Sequence, residues 1–221
     1  MSNLSSIGKK LIMSISGLFL VLFLLFHMSM NFVAVFSGEA YNAVCEFLGT
    51  NWYALAGTSI LALGFIVHII FAFVLTMQNR KARGVERYSN QATPKTVEWA
   101  SQNMLVLGII VLLGLVMHLS QFWYKMMYAE LVGNVNQFGA ADGAAWIQFY
   151  FSKPLIVVLY LVWFVAIWFH LSHGFWSAIQ TIGWNNKVWM DRWKCISNIF
   201  TTVVMLGFAA VVIVAYIKSL C

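Results

Sequence analysis

The sequence predicts an all-α integral membrane protein with five transmembrane helices. Three observations carry this. Of 221 residues, 62% are hydrophobic and only 9% are charged, whereas a soluble domain carries about 25% charged residues. Five apolar stretches match the roughly 20 residues that cross a hydrocarbon core of ~30 Å. The charges fall between those stretches. The predicted helices are residues 11–36, 53–77, 104–124, 155–182 and 199–217, and they form a single transmembrane domain covering 1–221. No stretch between them is long enough for a soluble domain.

Each helix has its own support. The first follows Lys9 and Lys10. Its apolar run is too long for a cleaved signal peptide and lacks a clear small-residue cleavage site, so it reads as a retained span. Pro94 lies in the loop before the third span. Pro154 opens the fourth, where a missing N–H costs little. Trp52, Tyr53, Trp99, Trp123, Tyr124, Trp146 and Trp184 cluster near helix ends, as an interfacial aromatic belt does.

Charge sets the expected orientation. Lys9 and Lys10, then Arg80, Lys81, Arg83, Arg87 and Lys95, then Lys187, Arg192 and Lys194 lie at one end of the helices. The loops at the other end carry Glu39, Glu46, Glu130 and Asp142, with Lys125 and Lys153. Basic loops face the cytoplasm, which places the N-terminus inside and the C-terminus outside. This bias accounts for most of the net charge of +6. With no basic soluble domain, nucleic acid is not an expected partner. Cys45, Cys195 and Cys221 form no CxxC pair and read as free thiols.

Four histidines carry the chemistry. His27, His68, His118 and His170 each lie deep in a different span. Ionisable groups are costly in lipid and are functional there by default. At ~1.5 Å rise per residue, His27 and His118 lie about 18 and 10 Å from the outer side, and His68 and His170 about 25 Å. The four thus divide into an outer and an inner pair, one histidine from each of the first four helices. Two histidines per iron is a haem arrangement, so the first four helices are expected to form a haem-binding bundle. His27 and His118 would hold the outer haem iron, and His68 and His170 the inner one. Two axial imidazoles leave no open iron position, which suits electron transfer. Zinc would need three or four ligands together, and two depths separate these into pairs. Gly64, Gly114 and Gly174 lie four residues from His68, His118 and His170, on the same helix faces, and are expected to leave room for a porphyrin edge. His173, three residues after His170, is the competing ligand.

These residues resemble the five-helix dihaem cytochrome b subunit of succinate dehydrogenases and fumarate reductases. The resemblance rests on Phe26-His27-Met28 followed by Asn31, on Val67-His68, on Met117-His118, and above all on the run from Phe169 to Ser177. That run is very similar to an FHxSxGxWS motif of the family, whose ligand falls at His170 and not at His173. The match spans almost the whole chain. It implies two b-type haems and a membrane quinone, menaquinone in this class. It also implies a flavoprotein subunit that interconverts succinate and fumarate, and an iron–sulfur subunit that exchanges electrons with this anchor. The implied setting is the bacterial inner (cytoplasmic) membrane and the respiratory chain, and a dimer of complexes is compatible with it. The chain would be the quinone-reacting part of that enzyme, with no catalytic residue for the dicarboxylate.

One departure stands out. Some fumarate-reducing members carry a glutamate two residues before the helix IV ligand, and here that position is Trp168. No acidic residue lies inside a predicted span, so that proton route is absent and either reaction direction remains compatible. Glu46, and then Glu39, are the expected counterparts of a family glutamate that takes up a quinol proton. Two other readings compete. A dihaem anchor of another quinone-linked dehydrogenase, such as a hydrogenase or formate dehydrogenase, would often place two ligands on one helix, and no helix here does. A cofactor-free small transporter would show broken helices or a polar path at the midplane.

Overall fold

The structure, a computed structural model, describes residues 4–49, 51–83, 98–134 and 136–221. Arg87, Lys95, Pro94 and the Arg83 side chain lie outside the described residues. Among the described residues all regular structure is helical: α1 (Ser6–Phe36), α2 (Gly38–Phe47), α3 (Trp52–Arg83), α4 (Trp99–Gln102), α5 (Met104–His118), α6 (Ala129–Leu131), α7 (Gly143–Phe151), α8 (Pro154–Thr181) and α9 (Trp189–Leu220). Leu119–Tyr128 is π-helical and joins α5 to α6 without a break. Five helices are long and apolar enough to cross a membrane: α1, α3, the α5–α6 rod, α8 and α9.

Local chemistry explains the breaks. Ser5 caps α1 by accepting from the Gly8 N–H at 3.0 Å. Ser37 adopts an extended backbone that stops α1, and its side chain then caps α2 by accepting from the Ala40 N–H. An N-cap of this kind satisfies a donor the helix itself leaves unpaired. Asp142 caps α7 in the same way and accepts from Asn42, while Asn42 accepts from the Ala144 N–H. These bonds clasp α2 to α7 at one end of the molecule. Both short helices fall in segments between the predicted spans. Hydropathy finds membrane-length runs, and neither segment has one.

The same reason shifts a boundary. Helix α9 begins at Trp189, well before the predicted residue 199, and carries Asp191, Arg192 and Lys194 in its first turns. Backbone hydrogen bonding continues past the apolar segment because no proline or glycine interrupts it there.

The core lies between α8, α9, α7 and the adjoining face of α1. Val157, Phe164 and Ile167 of α8 meet Val204, Val211 and Val212 of α9. The fifth span thus packs on α8, α1 and α7 with one face, while Ile199, Val203, Leu206 and Ile217 are exposed on the other. Small polar residues make the close approach of α9 feasible, as at many membrane-helix contacts. Ser197 and Thr201 are fully buried, and the Ser197 hydroxyl donates to the Ser172 carbonyl at 2.7 Å. Trp168 donates to Thr202 at 2.9 Å, so its indole ties α8 to α9.

Helix α3 flanks α1, and α5 flanks α8. None of the apolar stretch of α3 is buried by protein, against 39% of that of α8. Walking around the bundle, the order is α3, α1, α8, α5. Helices α1 and α5, and likewise α3 and α8, face each other across diagonals and do not pack closely along their length. One belt residue departs from expectation. Trp146 is 2% exposed, packs against Phe138 and Tyr150, and donates to the Gly139 carbonyl. It is core to the α7 layer, because the α2–α7 clasp folds that surface inward.

Candidate functional site

The histidines meet across the two diagonals. His27 of α1 and His118 at the end of α5 have ring centres 5.8 Å apart and planes at 82°. His68 of α3 and His170 of α8 have ring centres 6.3 Å apart and planes at 71°. These are the two pairs that depth along the helices separates. No third histidine, cysteine or carboxylate joins either pair among the described residues.

Three of the four rings have a polar partner at Nδ1. His118 Nδ1 lies 3.4 Å from the Tyr160 hydroxyl, and His68 Nδ1 lies 3.5 Å from the Ser16 hydroxyl. The Asn31 amide lies 3.4 Å from His27 Nδ1 and is itself fixed by Tyr41, whose hydroxyl donates to Asn31 Oδ1 at 2.8 Å. His170 Nδ1 is buried with no partner. Among the described residues none of these contacts is made to an Nε2, the atom a metal would take.

This donor set fits haem. Two metal–nitrogen bonds of about 2.0 Å, the length histidine makes to zinc, with each ring centre about 1.1 Å behind its nitrogen, set two imidazoles about 6 Å apart across one metal. Both pairs have that separation. Two separate pairs supply two axial ligands each, and the surroundings are apolar and aromatic. Phe23 stacks on His27 at 5.2 Å, with Phe208 at 5.7 Å. Phe122 and Trp163 flank His118 at 5.3 and 5.9 Å.

The expected glycines behave differently from the reading above. A Cβ at Gly64 would strike the Phe19 ring at 2.7 Å, and one at Gly114 would strike the Trp163 indole. Those two glycines admit aromatic side chains of neighbouring helices and leave no open space. Gly174 alone of the three faces open space. Two other glycines lie against the inner pair: a Cβ at Gly17 would lie 3.4 Å from His68, and one at Gly108 would lie 3.7 Å from His170. Sequence spacing missed both because they belong to the adjacent helices α1 and α5, not to the ligand's own.

His173 lies apart from the pairs. Its Nδ1 donates to Glu98 at 3.0 Å, and Lys194 reaches the other carboxylate oxygen at 3.4 Å. Burial raises the Glu98 carboxyl, but the bonds from His173 and Lys194 outweigh it and hold the group below the usual carboxylate range.

At the end of the molecule with α2 and α7, a cleft of about 480 Å³ is lined by Glu46, Glu130, Asn51, Tyr53 and Cys45, among others. Glu46 thus faces a cleft, whereas Glu39 is not among its lining residues. Cys45 of this lining bonds to Tyr41, and burial pushes both groups up, so they stay protonated at neutral pH. The three cysteines are free.

No family model, curated protein or solved structure matches the chain.

Proposed function

We propose that this chain is the dihaem cytochrome b membrane anchor of a succinate dehydrogenase or fumarate reductase, linking an iron–sulfur subunit to membrane quinone. The observation that carries the reading is the pair of histidine couples, 5.8 and 6.3 Å apart, bridging the two diagonals of the bundle. His27 and His118 would ligate the outer haem, and His68 and His170 the inner one. A bound b haem supplies a one-electron redox couple whose potential follows its axial ligands and burial. The chain's own residues supply the rest. They hold the His27, His68 and His118 rings through Nδ1, exclude water with Phe23, Phe122, Trp163 and Phe208, and hold the ligand helices apart.

Orientation follows the charges, with the basic end and the N-terminus in the cytoplasm of a bacterial inner membrane and the C-terminus outside. The iron–sulfur and flavoprotein partners then dock on the basic end. The outer cleft beside Glu46 and Tyr53 is the proposed quinone site, with menaquinone as the quinone, and Glu46 would accept a proton released on quinol oxidation. Membership of the cleft ranks Glu46 above Glu39.

A reduced-minus-oxidised visible spectrum of the purified protein, with its haem-to-protein ratio, tests the ligand reading. Two low-spin b haems per chain are expected, and a ratio near one or zero rejects it. Co-purification of a flavoprotein and an iron–sulfur protein separates this anchor from those of other dehydrogenases. Glu46→Gln should suppress quinol-linked turnover while both haems and the succinate–dye reaction persist, and full quinol turnover would remove Glu46 from the site.

A further inference from the structure

We infer that Tyr160 is a positioning residue for His118, setting the ring's tautomer and its electron donation; the inference rests on the ligand reading above. The argument begins with one proton. Tyr160 is 2% exposed on α8, inside the bundle. Its hydroxyl donates to Gln121 Oε1 at 2.9 Å. A phenol has a single O–H to give. With that proton committed to Gln121, only a lone pair of the oxygen faces His118 Nδ1, 3.4 Å away. A lone pair is tolerated there when Nδ1 carries the hydrogen. A neutral imidazole with its proton on Nδ1 presents Nε2 as its bare nitrogen, the atom a metal takes.

The surroundings hold this arrangement still. The Tyr160 ring packs edge-on against Phe151 at 5.0 Å, Trp163 at 5.7 Å and Phe164 at 6.0 Å. Trp163 in turn donates to the Val111 carbonyl at 3.0 Å and seats on Gly114, so α8 grips α5 one turn before His118. On the other side of the ligand the chain changes winding. His118 ends α5 and the π-helical stretch starts at the next residue. Wide π turns often occur at functional sites. Here that stretch carries Gln121, the acceptor that orients Tyr160.

Each pair has one histidine with such an oxygen. In the inner pair the Ser16 hydroxyl stands beside His68 Nδ1, whereas His170 Nδ1 is buried without a partner. In the outer pair the oxygen is that of Tyr160 on His118, and His27 faces the Asn31 amide nitrogen. A partner that accepts from the far N–H of a ligating histidine raises its basicity and fixes its orientation, and removing such a partner typically changes affinity 10- to 100-fold. A more basic imidazole favours the oxidised metal, so losing Tyr160 should favour the reduced form.

The test is a redox titration, with low-temperature electron paramagnetic resonance, of the purified complex carrying Tyr160→Phe. The outer signal is first identified as the one lost in His27→Ala. A rise of the midpoint potential is expected for that signal alone, about 59 mV for a one-electron couple if a tenfold effect falls wholly on the oxidised state. The inner signal should stay in place, since Tyr160 lies ten residues from His170, about 15 Å along α8. Gln121→Met keeps the phenol but frees its proton, and should move the outer potential in the same direction by less. It decides the matter if Tyr160→Phe does not accumulate. A haem-loaded wild type whose outer potential and spectrum are unmoved in these variants rejects the role of Tyr160 alone. An equal shift of both signals rejects it too. A wild type without haem removes the ligand reading itself, and this inference with it.

Discussion

His170 and His173 sit three residues apart on α8, and their partners divide their roles. His170 faces His68 across the bundle, and His173 faces Glu98 and stacks edge-on against Trp176 at 4.8 Å. A three-residue step turns a side chain about 60° around the helix, enough to aim it at a different neighbour. His170→Ala should abolish the inner haem signal, whereas His173→Ala should retain both haems in a visible spectrum. The reverse result would exchange the two assignments. His173→Ala should also act through Glu98. A carboxyl held low contributes stability above its unfolded value, and that contribution is lost as pH falls through the lower folded value. Without His173 the Glu98 carboxyl should rise, so the variant loses stability earlier on acidification. The side chain is 39% exposed, so the effect should not exceed about 1 kcal/mol, read as a melting-temperature difference across the acid range.

At the scale of elements, α9 holds the helices together more than its position at the end of the chain suggests. It packs on α8, α1 and α7, and its Phe208 reaches the His27 ring. At Gly207 the two helices approach closely, since a Cβ there would collide with the Met28 thioether. Met28 adjoins His27 on α1. Gly207→Val should therefore push α1 from α9, with an overpacking cost of about 1–3 kcal/mol. Thermal unfolding in detergent should report the lower stability. The outer haem should be lost more readily than the inner one, because His27 moves with Met28. Retention of wild-type stability and both haems would show that α1 adjusts freely. The glycine is invisible as a hinge or cap. Its role exists only because a sulfur from another helix occupies the space.

At the scale of the whole molecule the two ends differ in chemistry. One end gathers Lys9, Lys10, Arg80, Lys81, Lys187, Arg192 and Lys194. The other has the α2–α7 clasp and the carboxylate-lined cleft. The proposed partners have a natural place at the basic end, where opposite charge speeds encounter. A photo-cross-linker placed at Lys81 should capture the iron–sulfur subunit in the assembled complex. One placed at Phe47, exposed beside the cleft, should not. Capture only from Phe47 would invert the assembly. Few residues in the apolar stretches of α3 and of the α5–α6 rod are fully buried by protein, as expected of helices with one face toward lipid.

What the sequence determined by itself is one-dimensional. Hydropathy along the chain sets the number of spans, and the fixed rise of a helix sets each histidine's depth. From these the all-α class and the two depth-matched pairs could be read. Tertiary structure decided what lies around each helix. It packed one face of α9 on α8, α1 and α7, set His27 against His118 and His68 against His170 across diagonals, filled the faces of Gly64 and Gly114 with Phe19 and Trp163, and buried Trp146. It also supplied Tyr160 to His118 from another helix, and gave Glu46 rather than Glu39 a cleft. The physical reason is the solvent. In water an apolar stripe marks the face a helix buries, but lipid tails are as apolar as leucine. A span apolar all round carries no mark of which side meets protein, so its neighbours are chosen by close packing and a few hydrogen bonds between residues far apart in the chain.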